Sequence, residues 1–235
     1  MRPKLFIIAG ANGAGKTTYV CEHVLPGIFI FNGDDVYAEL LKRYPNYDRE
    51  LLKGGVPQQM EKDIDSAILS KSDFAFETNF ASELSVDVAK KFINAGYEAN
   101  LIYFGLDNVQ QAALRVDHRV ALGGHNLSTH EIRENFKGGL SLVKGNLKLF
   151  DTIKFVDTSI YGIAPVIAYY IKSNAKHVIA NNSIEWYNAN FKQPILDLAA
   201  SRIREMEREI SLKLLKGKSK GPGDDLDMGG PKIGR

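Results

Sequence analysis

Residues 4–18 read KLFIIAGANGAGKTT, and Gly10-Ala11-Asn12-Gly13-Ala14-Gly15-Lys16-Thr17 within them fits the pattern GxxxxGK[ST]. Lys4 to Ala9 is a short apolar run, of the kind that forms a strand buried on both faces of a parallel sheet. Gly10 ends it, and Thr17 to Val24 has helical character. Strand, glycine-rich loop and helix together are the context in which this pattern binds phosphate. The glycines let main-chain N–H groups turn inward around an anion, and the following helix adds its positive end. Lys16 neutralises the outer phosphates and Thr17 offers a hydroxyl to Mg²⁺. Gly10, Ala11, Asn12, Gly13, Ala14, Gly15, Lys16, Thr17 and Thr18 are therefore expected to hold the phosphates of ATP or GTP.

Downstream, apolar runs and helical patterns alternate. Ile28 to Phe31, Asp73 to Glu77, Ala99 to Gly105 and Thr152 to Val156 read as strands, with Ala164 to Tyr170 as a further one. Val36 to Arg43, Pro57 to Leu69, and Glu83 to Ala95 read as helices between them. This order predicts an α/β fold of the P-loop NTPase type. Its doubly wound, mostly parallel sheet carries helices on both faces, and its ligands gather at the carboxyl ends of the strands. Asn108 to Ala121 and Ser128 to Leu147 are helical patterns flanking Leu122-Gly123-Gly124-His125-Asn126, and the pair reads as a helical lid around 115–147. The P-loop domain is expected over 1–175. A C-terminal extension over 176–215 ends in the charged helix Ile195 to Leu215 and packs on the same domain. The Gly, Pro, Lys and Asp-rich stretch 216–235 reads as a disordered tail.

Composition bounds the function classes. With 235 residues, 44% of them apolar, the chain can build a core without metals or disulfides. A net charge of +2 argues against a protein that coats nucleic acid, although a pI of about 8.5 leaves room for a local basic patch. Cys21 is the one cysteine, which excludes an intrachain disulfide, and it reads as a small buried residue of the first helix. No stretch approaches the ~18 apolar residues of a membrane span. The expectation is a soluble cytoplasmic protein.

The phosphate loop alone does not separate a kinase from a switch or a motor. A small-molecule kinase needs a base for the acceptor hydroxyl, groups that hold the acceptor, and cations that close over the transferring phosphoryl group. Asp34, after the second strand, is the candidate base, since that strand neighbours the phosphate-loop strand in many such sheets. Asp35 competes with it, and both also suit a helix cap. Glu77, at a strand end, is placed to hold Mg²⁺ through water or to grip the acceptor, with Thr78 and Asn79 as further polar groups. Arg115 and Arg119 lie one helical turn apart. One of them is expected at the phosphates, with His125 and Arg133 as further lid candidates. His118 and His130 read as ordinary surface residues, and the scattered aromatics as core, so nucleic acid is not an expected partner.

In order, IIAGANGAGKTT, FNGDD, FAFETNF, GYEANLIYFGLDN, RVALGGHNLS and FVDTS resemble the zeta toxin family of P-loop kinases over roughly residues 4–160. The resemblance implies an ATP- or GTP-dependent, Mg²⁺-requiring kinase that phosphorylates a hydroxyl of a nucleotide sugar, UDP-N-acetylglucosamine in the best-known members. It also implies an antitoxin protein as a partner. Carried over by motif, Lys16 and Thr17 serve phosphate and Mg²⁺, Asp34 is the base, Glu77 and Thr78 bind the acceptor, and Arg119 is the first lid arginine. The second lid arginine of the family falls at His125, and a later one falls near Lys137 or Gly138. An alternative reading is a regulatory P-loop ATPase or nucleotide-binding module that acts through a protein docked on the charged C-terminal helix. A kinase of RNA or DNA ends is a third.

Overall fold

The computed structural model describes residues 2–121 and 127–218, with side chains up to 215. His125 and the rest of the expected hinge lie outside the described residues, as does all but the start of the expected tail.

Buried apolar runs place the first strand, β1 (Lys4–Gly10), at the centre of a seven-stranded sheet. Leu5, Ile7 and Ala9 face one side of it, and Phe6 and Ile8 the other, all but Phe6 wholly shielded from solvent. The remaining strands are β2 (Ile30–Phe31), β3 (Phe74–Thr78), β4 (Glu98–Gly105), β5 (Thr152–Asp157), β6 (Val166–Ile171) and β7 (Lys176–Ile179). Their order is β2-β3-β1-β4-β5-β6-β7. The first five pair in parallel, while β6 and β7 add antiparallel to the β5 edge. The expected mostly parallel sheet is present, and β7 is a strand that the sequence pattern left unmarked.

Helices cover both faces. On one lie the apolar sides of α3 (Arg49–Ser70) and α4 (Glu83–Asn94), the end of α6 (Thr129–Gly145), and the C-terminal segment with α7 (Glu185–Tyr187) and α8 (Gln193–Lys218). Trp186, Tyr187, Phe191, Ile195 and Ala199 join the same core as β1. On the other face lie Val20 and Val24 after α1 (Lys16–Tyr19), the inner side of α5 (Val109–Ala121), and Ile132 at the start of α6. Among the described residues, no helix is long and apolar enough to cross a membrane.

Three expectations change. The first helix is one turn, α1, followed by a 3₁₀ turn at Val20–Glu22, in place of Thr17 to Val24. Cys21 sits in that turn and is exposed, not buried. Helix α3 starts eight residues before Pro57, because the Asp48 side chain caps the N–H groups of Glu50 and Leu51 at 2.9 and 3.1 Å. It runs through Pro57 without ending.

Candidate active site

At the carboxyl end of β1 the chain enters the phosphate loop. Gly13 takes a left-handed backbone (φ 76°), and a Cβ there would stand 2.7 Å from the Ala112 carbonyl of α5. Glycine is therefore required twice over, by conformation and by space. The Ala14 N–H donates to the Ala11 carbonyl at 3.1 Å and closes the turn. With α1 only one turn long, the anion cradle rests on the loop's own N–H groups and on Lys16 more than on a helix field.

Lys16 Nζ donates to Gly10 O at 2.8 Å, Ala11 O at 3.1 Å and Asn79 Oδ1 at 3.2 Å. Burial pushes its ammonium down to about 8, although Glu77 and Asp34 pull the other way; Arg119 adds to the lowering. Thr17 Oγ1 donates to Glu77 Oε2 at 2.9 Å. Burial raises the Glu77 carboxyl, with Asp35 and Asp34 adding to the rise; the Thr17 hydroxyl and Lys16 oppose it.

The sheet order explains why Glu77 is so close. Strand β3 lies directly beside β1, with Ile8 opposite Glu77 and Ala9 opposite Thr78. Strand β2 is the outer strand, separated from β1 by β3, so the expected adjacency of the second strand to the phosphate-loop strand is not observed. Asp34 still reaches the site because α2 (Gly33–Arg43) starts at the end of β2. The cap of α2 is neither aspartate. Asn32 Oδ1 accepts the Asp34 N–H at 2.9 Å, which leaves both carboxylates in the first turn without capping duty.

These groups line one cavity of about 840 Å³, formed by the phosphate loop, Asn32 to Asp34, Glu77 to Asn79, and the α5 face of Leu114, Arg115, His118 and Arg119. Tyr161 also lines it. The expected residues thus meet in one place, with qualifications. Thr78 lines the cavity, yet its hydroxyl accepts the Phe80 N–H at 2.9 Å and pairs with Ser85 Oγ at 2.8 Å, so it also builds the turn. Arg115 donates to the carbonyls of Thr158 and Ser159 at 2.6 and 3.2 Å, which ties α5 to the loop after β5. Arg119 lies within electrostatic reach of Lys16. Arg133 is exposed and does not line the cavity. Within the segment 115–147 expected to form a lid, Val143 and Leu147 are embedded in the core.

Sequence reasoning missed several lining residues. His118, read as ordinary surface, faces the cavity, as do Tyr19, Leu114 and Tyr161. Leu114 and Tyr161 are 70% and 87% exposed, and large apolar groups left open on a cleft are the signal that marks them. Exposure of that kind is invisible in a one-dimensional pattern.

The zeta toxin family model matches residues 1–161, a span that includes β1 through β5 and ends at Tyr161. The chain belongs to the zeta toxin family. Membership makes it a P-loop phosphotransferase, in keeping with a cavity that gathers an ammonium, a hydroxyl and carboxylates at the carboxyl ends of the sheet's strands. Among solved structures, one from the PezAT chromosomal toxin-antitoxin system of Streptococcus pneumoniae is similar. It has a TM-score of 0.56 and 17% identity, with 87% of each chain covered. AvrRxo1-ORF1:AvrRxo1-ORF2 with ATP gives a TM-score of 0.63 at 13% identity, over 80% of this chain and 63% of that one. At such identities the likeness is one of fold. None of the curated proteins compared with the sequence matches it.

Proposed function

We propose that this zeta toxin family member transfers the γ-phosphoryl group of ATP or GTP to a hydroxyl of a nucleotide sugar, with UDP-N-acetylglucosamine as the first acceptor to test. The observation that carries the reading is the convergence of Lys16, Thr17, Glu77 and Asp34 on one cavity, behind a loop whose glycines admit phosphate. Asp34 lines the same cavity as the phosphate loop and is free of capping duty, so it is assigned as the base that takes the proton of the attacking hydroxyl. Lys16 holds the outer phosphates in line, and Arg119 adds positive charge as the phosphoryl group moves. Glu77 and Thr78, which line the same cavity, are the groups assigned to hold the acceptor.

The residues fit Mg²⁺. A hydroxyl and a carboxylate oxygen 2.9 Å apart are hard donors of the kind that ion takes beside phosphate oxygens. Thr17 would hold it directly and Glu77 through water; when bound, it supplies charge neutralisation on the phosphates. Leu114 and Tyr161, both exposed and both lining the cavity, offer apolar surface for a nucleobase.

The same reading extends to a partner. An antitoxin protein that covers the cavity is proposed, supported by family membership and by the toxin-antitoxin system from which the similar pneumococcal structure comes. The chain is expected to act in the cytoplasm, where both nucleotides and nucleotide sugars are found.

The test is direct. The protein is incubated with γ-labelled ATP or GTP, Mg²⁺, and either UDP-N-acetylglucosamine or a small-metabolite extract, and the labelled product is identified. Label on a nucleotide sugar supports the proposal. Hydrolysis that proceeds equally with and without acceptor would instead favour the regulatory ATPase.

A further inference from the structure

The Lys16 ammonium has three protons to donate, and three oxygens accept them. Two belong to the phosphate loop, Gly10 O and Ala11 O; the third is the side-chain oxygen of Asn79, just past the end of β3. The Asn79 turn is closely built. Phe80, fully buried, adopts a left-handed backbone (φ 53°) that a bulky residue holds only when its surroundings dictate it. Thr78 and Ser85 tie that turn from one side. From the other side α6 presses on it. Gly139 is buried so closely against the Asn79 carbonyl oxygen that a Cβ would collide with it, and a Cβ at Gly138 would touch that of Ala81 at 3.3 Å. One helical turn before Gly139, Asn135 Nδ2 donates to Asn12 Oδ1 at 2.9 Å. A single face of α6 therefore touches both the loop that bears Lys16 and the turn that bears its partner.

We infer that Asn79 is a positioning residue for Lys16, and that α6 fixes Asn79 through the Gly139 contact on its main-chain carbonyl. The inference rests on the nucleotide-binding reading given above. A lysine stem has four flexible bonds, and an oxygen that holds the ammonium beforehand removes freedom that phosphate binding would otherwise have to remove. The acceptor is an amide and not a carboxylate for an electrostatic reason. It orients the cation without neutralising it, and it adds no negative charge beside the incoming phosphates. Residue 79 thereby acts on the nucleotide through Lys16.

The test compares the full chain with Asn79→Ala, Asn79→Asp and Gly139→Ala. In free protein labelled with ¹⁵N-lysine, the Lys16 Nζ resonance is followed. It should be sharp in the wild type and broadened or lost in Asn79→Ala and Gly139→Ala; a resonance unchanged in Asn79→Ala overturns the inference, and one unchanged in Gly139→Ala overturns the part assigned to α6. Affinity for a non-hydrolysable ATP or GTP analogue with Mg²⁺ is then measured. Asn79→Ala should weaken it about tenfold, the weight of one charge-assisted hydrogen bond. Asn79→Asp should weaken it more, although aspartate is the closer match in shape; a purely structural role would reverse that order and overturn the inference. In a Lys16→Ala background, Asn79→Ala should have no further effect, and an undiminished loss there counts against Asn79. Absence of nucleotide binding by the wild type would strike the proposed function, and the Lys16 resonance would still decide the inference.

Discussion

The Thr17 hydroxyl donates to Glu77 Oε2 at 2.9 Å, so the end of the phosphate loop and the end of the adjacent strand β3 meet at one point. Neither residue is near the other in the chain. Parallel pairing of β1 with β3, with Ala9 opposite Thr78, brings them together. The site is thus assembled by sheet register, and its reactive groups can be tested one by one.

Asp34 and Lys16 should separate binding from transfer. Asp34→Asn keeps the Asn32 cap, because the bond uses the main-chain N–H of residue 34. Nucleotide affinity should persist while phosphoryl transfer falls by about 10²–10⁴, the range for loss of a positioned base. Lys16→Ala should weaken both, with turnover down by about 10²–10³. Isothermal titration and label transfer on the two variants check the contrast. Wild-type turnover in Asp34→Asn would remove Asp34 as the base.

The pH profile follows from two shifted groups. Lys16 is charged below about 8, so nucleotide affinity should decline as pH rises through that value. Glu77, raised by burial, should set an acid limb above the 4.5 of an ordinary glutamate. Stability takes the opposite sign at Lys16. The folded chain releases this proton near 8 and the unfolded chain near 10.5, so between those values the unfolded state binds more protons. The charge penalty at Lys16 is in full force below that window and gone above it, so the nucleotide-free protein should gain stability from this group across it. Lys16→Met should lack the gain when melting temperatures are compared over that range.

Tyr161→Ala should weaken nucleotide binding by about tenfold, within the ~1–3 kcal/mol that one base gains by stacking on an aromatic ring. Binding of inorganic triphosphate, which has no base, should not change. Equal losses for both ligands would move the base elsewhere in the cleft. Because the ring is 87% exposed, its removal should leave the melting temperature unaltered.

Trp186 bears on stability and not on chemistry. Its indole N–H donates to the buried Asp157 carboxylate at 2.8 Å, and its ring lies against Gly105 so closely that no side chain fits there. Trp186→Phe leaves the acid with the Ser159 hydroxyl and main-chain N–H as its remaining donors. A loss of about 1–3 kcal/mol is expected, the cost of stripping a partner from a buried polar group. Urea unfolding measures it directly.

Much of this was legible in the residues. The apolar runs of β1, β3, β4 and β5 and the glycine spacing from Gly10 to Gly15 are local signals, and the structure puts strands and loop where they point. Less legible were the start of α3, decided by the Asp48 cap, and β7, whose Lys176 to Ile179 run is short and half-polar. The single-turn α1 and the exposure of Cys21 were not legible either, because both depend on how the 3₁₀ turn packs.

By itself the sequence determined that a phosphate loop follows a buried strand and that carboxylates stand at later strand ends, since periodicity and turn chemistry act between residues near in the chain. Only the tertiary structure decided which strand lies beside which. It set Glu77 next to the loop, kept Asp34 on an outer element, gave Lys16 its third oxygen from Asn79, and rooted α6 in the core. Those outcomes depend on pairing and packing across up to a hundred or so residues, where many arrangements satisfy the same local pattern and the mutual fit of buried surfaces selects one.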